Sequence, residues 1–346
     1  MLSIFKSLVK NILSILPIKI DYLFNISASP IFIKLLNFKN LFEFDLYSFG
    51  KKNAKKTFYV IQRSPGAGLF SNLTFVFNHL MIAKKMGFVP FVDMQNFKTI
   101  YNENKKILRT NNAWEYYFKQ LSKYSIKDIY SSKRVIITKN RFYKGFSYKV
   151  ANKKFRVLTH ELFKIKKEFI NYSNNYIKKN LTEKTLGIHY RGTSYKTSAN
   201  HPFPCTKKQI IKYCEHLIKK YNYKKIFLCT EDKEIFDLLT KTFSDKVLYL
   251  KDSYRSLKDD SFKVYPRKNH RYKLGKEILI ESLILSKCDG FLHLKTNVSE
   301  FVKFLDKKNK IKYHQINNGF NSSNEYIAMW LWYYKNLMPK ILGGFN

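Results

Sequence analysis

From residue 56 onward, short apolar and β-branched runs alternate with stretches in which apolar positions recur every three or four residues, the pattern of strands alternating with helices. The first half predicts strands over 57–62 and 88–93, an extended run at 134–138, and helices over 69–86, 114–121 and 159–180. The second half predicts strands over 185–190, 225–229, 247–250 and 290–294, and helices over 206–221, 233–242, 274–288 and 298–305. Residues 324–337 close the chain, with Trp330, Trp332, Tyr333 and Tyr334 expected to pack across both halves. This alternation predicts an α/β protein with mostly parallel strands. The polar, turn-rich stretch NYSNNYIKKNLTEK near residue 180 marks the expected domain boundary. The organisation is therefore an N-terminal amphipathic and basic segment (1–55), an α/β domain (56–180) and a second, Rossmann-like domain (181–346). Two such lobes imply a cleft between them, and open parallel sheets bind ligands at the carboxyl ends of their strands.

Before residue 56 the pattern changes. Leu2, Ile4, Phe5, Leu8, Val9, Ile12, Leu13, Ile15 and Leu16 recur at helical spacing, with Ser3, Lys6, Ser7, Lys10, Asn11 and Ser14 opposite, so an amphipathic helix is expected. It is suited either to an anionic membrane surface, helped by Lys6, Lys10 and Lys19, or to packing on the protein's own body. Charges at Lys6, Lys10, Lys19, Asp21, Lys34 and Lys39 interrupt every long apolar run, so no transmembrane span is expected. The short apolar stretch at 11–18 carries Pro17 and leads to no A-x-A site, which argues against a signal peptide.

Composition narrows the class. The chain has 346 residues, 45% apolar and 17% aromatic. That excludes disordered and collagenous proteins, and the length suits two domains. Lys and Arg outnumber Asp and Glu 64 to 25, a net charge of +39. Such a field attracts polyanions, namely nucleic acid, anionic lipid or phosphorylated sugars. Lys is spread over every segment, which equally fits the codon drift of an AT-rich genome. Cys205, Cys214, Cys229 and Cys288 form no C-x-x-C pair and read as buried, reduced thiols of a cytosolic protein.

Four loops at predicted strand ends carry candidate chemistry. The strongest is Leu186-Gly187-Ile188-His189-Tyr190-Arg191-Gly192-Thr193-Ser194-Tyr195-Lys196, where an apolar strand runs out into an arginine fork, a glycine, hydroxyls and a lysine. Those are the donors that hold a phosphate or diphosphate. A second loop, Arg63 to Asn72, brings Gly66 and Gly68 to the start of a helix; it is neither a complete G-x-G-x-x-G nor a P-loop. Third, Thr230-Glu231-Asp232 ends a strand with two carboxylates that could accept from a ribose or base, or cap the next helix. Fourth, Lys295-Thr296-Asn297-Val298-Ser299 opens a helix and either caps it or holds a phosphate. No D-x-D, H-E-x-x-H, Cys/His cluster or G-x-S-x-G is present, so no metal is expected. His79, His160, His201 and His293 are scattered and read chiefly as structural or surface histidines.

Taken in order, these pieces resemble the fucosyltransferase superfamily of two-lobed, GT-B-type enzymes, which includes α-1,6-, α-1,2- and protein O-fucosyltransferases. The resemblance covers about residues 56 to 306, and rests most on His189-Tyr190-Arg191-Gly192-Thr193 followed by His201-Pro202, and on residues 283–289 before the Thr296 turn. Residues 88–101 and 112–118 are similar to bacterial members found in surface-glycan gene sets. The resemblance implies an inverting, metal-independent transferase that moves fucose or a related sugar from a GDP-sugar co-substrate to a hydroxyl of a surface glycan or lipid-linked glycan. It further implies that Arg191 grips the β-phosphate and that His189, Gly192, Thr193, Glu231, Asp232, Asp252, Thr296, Asn297 and Ser299 form the donor site. The loop with Gly66, Gly68 and Asn72 would line the cleft from the acceptor domain.

The motif departs from the usual H-x-R-R-[TG]-D at two places, with Gly192 for the second arginine and Ser194 for the aspartate, and no carboxylate lies between Thr193 and Pro204. The general base is open among Asp93, Glu115, His201 and the departing diphosphate. The expected location is cytoplasmic, either free or peripheral at the inner membrane face. Two rival readings stand beside this one, a nucleotide-binding homologue weakened in catalysis and a basic nucleic-acid-binding protein. The second is disfavoured because no RNA-binding fingerprint appears.

Overall fold

A computed structural model of the chain describes residues 44–63, 67–140 and 163–345. The expected N-terminal helix over 2–16, Gly66 and residues 159–162 lie outside them. The chain forms two compact units, divided between Lys164 and Ile165.

The first unit holds a four-stranded sheet ordered β1-β4-β2-β3, from β1 (Phe44–Tyr47), β2 (Phe58–Ile61), β3 (Val89–Val92) and β4 (Val135–Thr138). β2 is parallel to both β3 and β4, and β1 joins the far side of β4 antiparallel. Every residue of β2 is fully buried, as expected of a central strand covered on both faces. One face packs Phe58, Val60, Phe91, Val135 and Ile137 on Ile129 of the short helix α3 (Ile126–Ile129). On the other, Tyr59 stacks on Phe88 and meets His79 of α1 (Leu69–Lys85), Oη to Nδ1 3.0 Å. Helix α2 (Ala113–Tyr117) is shorter than the expected 114–121; it stops at Phe118, whose backbone is extended. Buried Trp114 donates its indole N–H to the Lys119 carbonyl just beyond (3.1 Å).

The second unit is an all-parallel sheet ordered β7-β6-β5-β8-β9, built from β5 (Thr185–Tyr190), β6 (Lys225–Thr230), β7 (Val247–Leu248), β8 (Gly290–His293) and β9 (Lys312–Gln315). This is the doubly wound Rossmann order, with strand order reversing between β5 and β8. Leu186, Ile188, Tyr190, Ile226, Leu228, Leu292 and Leu294 share one face with Ile210, Cys214 and Leu217 of α5 (Lys207–Tyr221) and Ile235 and Leu239 of α6 (Lys233–Phe243). The other face meets α7 (His270–Leu285). There Gly187 is fixed by contact, since an added Cβ would lie 2.8 Å from Leu285 Cδ2 and 3.2 Å from Cys288 Sγ. The four cysteines are buried and unpaired.

Helix α4 (Lys167–Asn180) belongs to this second unit and packs on α7, so the division precedes it instead of falling near residue 180. The polar run NYSNNYIKKN is its C-terminal part and mostly faces solvent, with Ser173 within the run and Phe169 before it buried. Residues 163–166, expected inside it, are not helical. Two further helices complete the unit, α8 (Asn297–Leu305) and α9 (Glu325–Leu337). Strands β1 and β9 were not expected; β9 is polar and partly exposed, and carries no apolar run.

Candidate functional site

The carboxyl edge of the second sheet is where its chemistry collects. β5 delivers Arg191 at its exit, β6 delivers Glu231 and Asp232, and β8 leads through Leu294 and Lys295 to the start of α8. Adjacency of β5 and β8 therefore sets Arg191 and Thr296, far apart in sequence, at neighbouring strand ends of the switch point, where open sheets bind ligands.

The Arg191 loop is built around one carboxylate oxygen. Glu231 Oε1 accepts from the backbone N–H of Gly192 (3.1 Å) and of Thr193 (3.4 Å) and from the Thr193 hydroxyl (3.1 Å), and lies 3.4 Å from Arg191 Nη1. Burial pushes the Glu231 carboxyl up, but Arg191 and these donors outweigh it and hold it below the ordinary glutamate value. Arg191 also donates from Nη2 to Ser194 Oγ (3.0 Å) and lies over the Tyr195 ring. Its side chain stays about a third exposed, so the fork is braced from behind yet open to an anion.

Asp232 makes the second brace. Oδ1 caps α6 by accepting from the Ile235 N–H (3.2 Å), while Oδ2 is buried without a hydrogen bond and faces Lys196 Nζ at 3.6 Å. Burial raises the Asp232 carboxyl above its usual range against the pull of Lys196. Gly192 crosses directly over this group, and a Cβ there would fall 2.4 Å from Asp232 Oδ2 and 2.4 Å from Tyr190 Cε1. The glycine is thus demanded by the protein's own packing, and of the two roles open to Asp232 the helix cap is the one formed.

Thr296 and Ser299 form a capping box on α8, with Ser299 N–H donating to Thr296 Oγ1 (3.1 Å) and Thr296 N–H to Ser299 Oγ (3.0 Å). Ser299 Oγ donates in turn to the Thr296 carbonyl (2.8 Å). These hydroxyls secure the helix start, and Asn297, exposed beside them, is left at its mouth. His189 on β5 and His293 on β8 stand in register on the α7 side, with His189 Nδ1 and His293 Nε2 both buried and unpartnered. Burial pushes each down to about 4, so both rings are neutral at pH 7. Asp252 is exposed on the loop after β7, its carbonyl accepting from Arg267 Nη1 (2.8 Å).

Sequence reasoning missed what stands behind that loop. Glu277 and Glu281, four apart on α7, hold residues 253–254: Glu281 Oε1 accepts from Ser253 Oγ (2.7 Å), and Glu277 Oε2 from the Tyr254 N–H (3.1 Å). Glu277 also takes both Arg267 Nη1 (2.6 Å) and Nη2 (2.8 Å). Glu281 Oε2 accepts from Cys229 Sγ (2.9 Å), and burial pushes its carboxyl up to about 7. Two carboxylates spaced i, i+4 inside the apolar run EILIESLIL were the available signal.

In the first unit, Gly68 caps α1 at ordinary φ −57° with open space around it. Asn72 Oδ1 accepts from the Ala67 N–H (3.3 Å) and Arg63 Nε (3.4 Å), which closes the loop. Asp93 accepts from the backbone of Gln95 and Asn96, the Asn96 amide and the Tyr130 hydroxyl (2.7–3.0 Å). Glu115 accepts from Thr110, Gln120 and Asn112. His201 is placed differently, on the Arg191 side of the second unit. Its ring lies 4.7 Å from that of Tyr195, and its Nδ1 donates to the Ala199 carbonyl (2.7 Å), so Nε2 carries the basic lone pair when the ring is neutral.

The chain matches no family model and no curated protein. Among solved structures it is similar to the fucosyltransferase NodZ from Bradyrhizobium, at 13% identity and TM-score 0.48 over 72% of this chain and 92% of that one. A NodZ α-1,6-fucosyltransferase co-crystallised with GDP matches at 14% identity and TM-score 0.47, again over 72% and 92%. POFUT1 in complex with GDP matches at 12% identity and TM-score 0.43 over 75% of this chain and 99% of that one.

Proposed function

We propose that the protein is a glycosyltransferase that moves fucose or a related sugar from a GDP-sugar to a hydroxyl of a glycan acceptor, with inversion and without a metal. The observation that carries this reading is the Arg191 fork, braced by Glu231 and Ser194 at the switch-point edge beside the N-terminus of α8. Transfer breaks the bond from the anomeric carbon to the phosphate oxygen and forms one to the acceptor oxygen, leaving charge on the diphosphate. Arg191 and the positive end of α8 stand where that charge develops, and such preset electrostatic stabilisation lowers the barrier most.

In this reading the second unit holds the donor and the first handles the acceptor. The acceptor proton passes to His201 Nε2 or to the departing diphosphate; Asp93 and Glu115 are engaged by three or more donors each. Glu231, Asp232, Gly192, Thr296 and Ser299 act as positioning residues that shape the Arg191 loop and the start of α8. His189 is a neutral wall beneath it. Asp252 and Asn297, exposed at the same edge, are the side chains left to touch the nucleoside and phosphates.

Calorimetric titration of GDP, UDP and ADP tests the reading, followed by turnover of GDP-fucose and GDP-mannose. GDP preference that falls about ten- to a hundredfold in Arg191→Ala, at unchanged melting temperature, is the expected result. Binding of all three nucleotides alike would overturn the donor assignment. GDP binding without turnover of either sugar would leave a nucleotide-binding protein.

A further inference from the structure

Helix α9 turns its apolar side to water. It is seated by Ala328 and Trp332, one turn apart, with Trp332 packed on Phe203 and Phe345 and its indole N–H donating to the Pro204 carbonyl (3.1 Å). Around the helix from that seam lie Tyr326, Trp330, Tyr333, Tyr334 and Leu337, at the i, i+4, i+7, i+8 and i+11 spacing of a single stripe. Tyr326 is 83% exposed, Trp330 71% and Leu337 74%. The turn Lys340–Leu342 extends the stripe with Ile341, 91% exposed, and Leu342. A helix at a water interface carries polar residues there; a contiguous apolar stripe of this kind marks an interaction surface.

Charge selects the partner. From Tyr326 to the end of the chain there is no acidic residue; Lys340 stands beside the stripe, whereas Lys335 lies on the seam side, over the Phe203 and Phe345 rings and donating to the Gly343 carbonyl. The whole chain carries +39, which opposes pairing two copies face to face and favours an anionic surface. Tyrosine and tryptophan are the side chains that settle at the headgroup level of a bilayer, and leucine and isoleucine reach the acyl boundary. Among the described residues no helix is long and apolar enough to cross a membrane.

We propose that the outward face of α9, with the turn after it, docks flat on an anionic lipid bilayer. Tyr326, Trp330, Tyr333 and Tyr334 lie at the headgroups, and Leu337, Ile341 and Leu342 enter the acyl boundary. The inner side of α9 packs on the turn Ser194–Lys196, and Asn321 Nδ2 ties the Ala328 carbonyl (2.9 Å) to that of Lys196 (3.4 Å). The docking face thus shares a frame with the Arg191 loop and would bring it to a lipid-linked acceptor. That consequence rests on the glycosyltransferase reading; the docking does not.

The experiment uses the full chain with vesicles of phosphatidylcholine, alone or with about 30% phosphatidylglycerol. Of the three tryptophans, Trp114 and Trp332 are buried, so an emission change on binding reports Trp330. Wild type is expected to sediment with the anionic vesicles, shift its emission to the blue and be quenched by brominated lipid. Trp330→Phe should bind but lose the shift. Combined Trp330→Ser, Tyr334→Ser and Leu337→Ser should partition at least about tenfold less, at unchanged melting temperature and GDP affinity. Partitioning of that variant within about twofold of wild type, or vesicle binding without quenching of Trp330, would overturn the proposal in favour of diffuse charge. So would a wild-type dimer, indifferent to vesicles, that the substitutions dissociate. Wild type that binds vesicles but not GDP would sink the transferase reading and leave the docking face standing.

Discussion

The carboxyl edges of the two sheets are built from similar strands and do opposite things with their polar groups. In the first unit, Asp93, Glu115 and Asn72 are saturated by amides, hydroxyls and backbone N–H groups, and their bonds close on themselves. In the second, Arg191 and Lys196 are balanced by Glu231 and Asp232 at 3.4 and 3.6 Å, longer than a strong charge-assisted bond. Asp232 Oδ2, His189 Nδ1 and His293 Nε2 are buried there without a hydrogen bond. Saturated networks specify a rigid frame, whereas loosely paired charges can exchange one partner for another. An incoming diphosphate would compete with Glu231 for Arg191.

The sharpest break of this contrast is Arg191→Ala set against Arg63→Ala. Arg63 also stands after a central strand, donates to Asn140 Oδ1 (2.9 Å) and covers the Phe75 ring. Arg191→Ala is expected to lower kcat by about a thousandfold, the order of losing one preset transition-state donor. Arg63→Ala should leave GDP affinity within about twofold, because its role is packing. Equal effects of the two on GDP titration would erase the distinction between the edges.

Next in size is a pH effect confined to the second unit. Burial pushes Glu281 up to about 7 from an ordinary 4.5, so the folded chain holds a proton that the unfolded chain has released. Its contribution to stability is full below about 4.5 and is lost as pH rises to about 7, a swing of up to about 3 kcal/mol. Glu231 has the opposite sign, being held below its ordinary value, so its contribution is present above that range and is lost as pH falls. Denaturant melts from pH 4 to 8 should show Glu281→Gln flattening the upper limb and Glu231→Gln the lower one. An unchanged upper limb in Glu281→Gln would remove the carboxyl from any such role. Gly192→Ala follows, expected to cost about 1–3 kcal/mol by forcing Asp232 aside, whereas Gly68→Ala, with nothing near its Cβ, should be neutral or slightly stabilising.

Much of this was legible in the chain because buried parallel strands write themselves as continuous apolar runs. TFYVIQ and TLGIHY each contain the strand observed, KIFLC falls one residue short of it, and the Arg191, Glu231 and Thr296 loops fall at strand ends as expected. Strand order was not legible, and it is the order that puts β8 beside β5. Partner choice was equally hidden. Glu231 reads as a ligand for a nucleotide until its neighbours are known, and then it is the post on which the Arg191 loop hangs. Trp330, Trp332, Tyr333 and Tyr334 were expected to pack across both halves; of the four only Trp332 is buried, since one helix cannot turn Trp330 and Trp332 to the same side.

The smallest effect tests whether the start of α8 belongs to the exchangeable edge or merely to the frame. Thr296→Ala removes one half of the capping box and should cost about 1 kcal/mol of stability. If the helix start also binds phosphate, fraying it should weaken GDP by a further few-fold, and Asn297→Ala should do so with no loss of stability, since Asn297 is exposed and caps nothing. GDP affinity unmoved in Asn297→Ala and in Thr296→Ala alike would assign the turn wholly to folding. Arg191 would then carry the diphosphate without the helix, and the two edges would differ by that one loop.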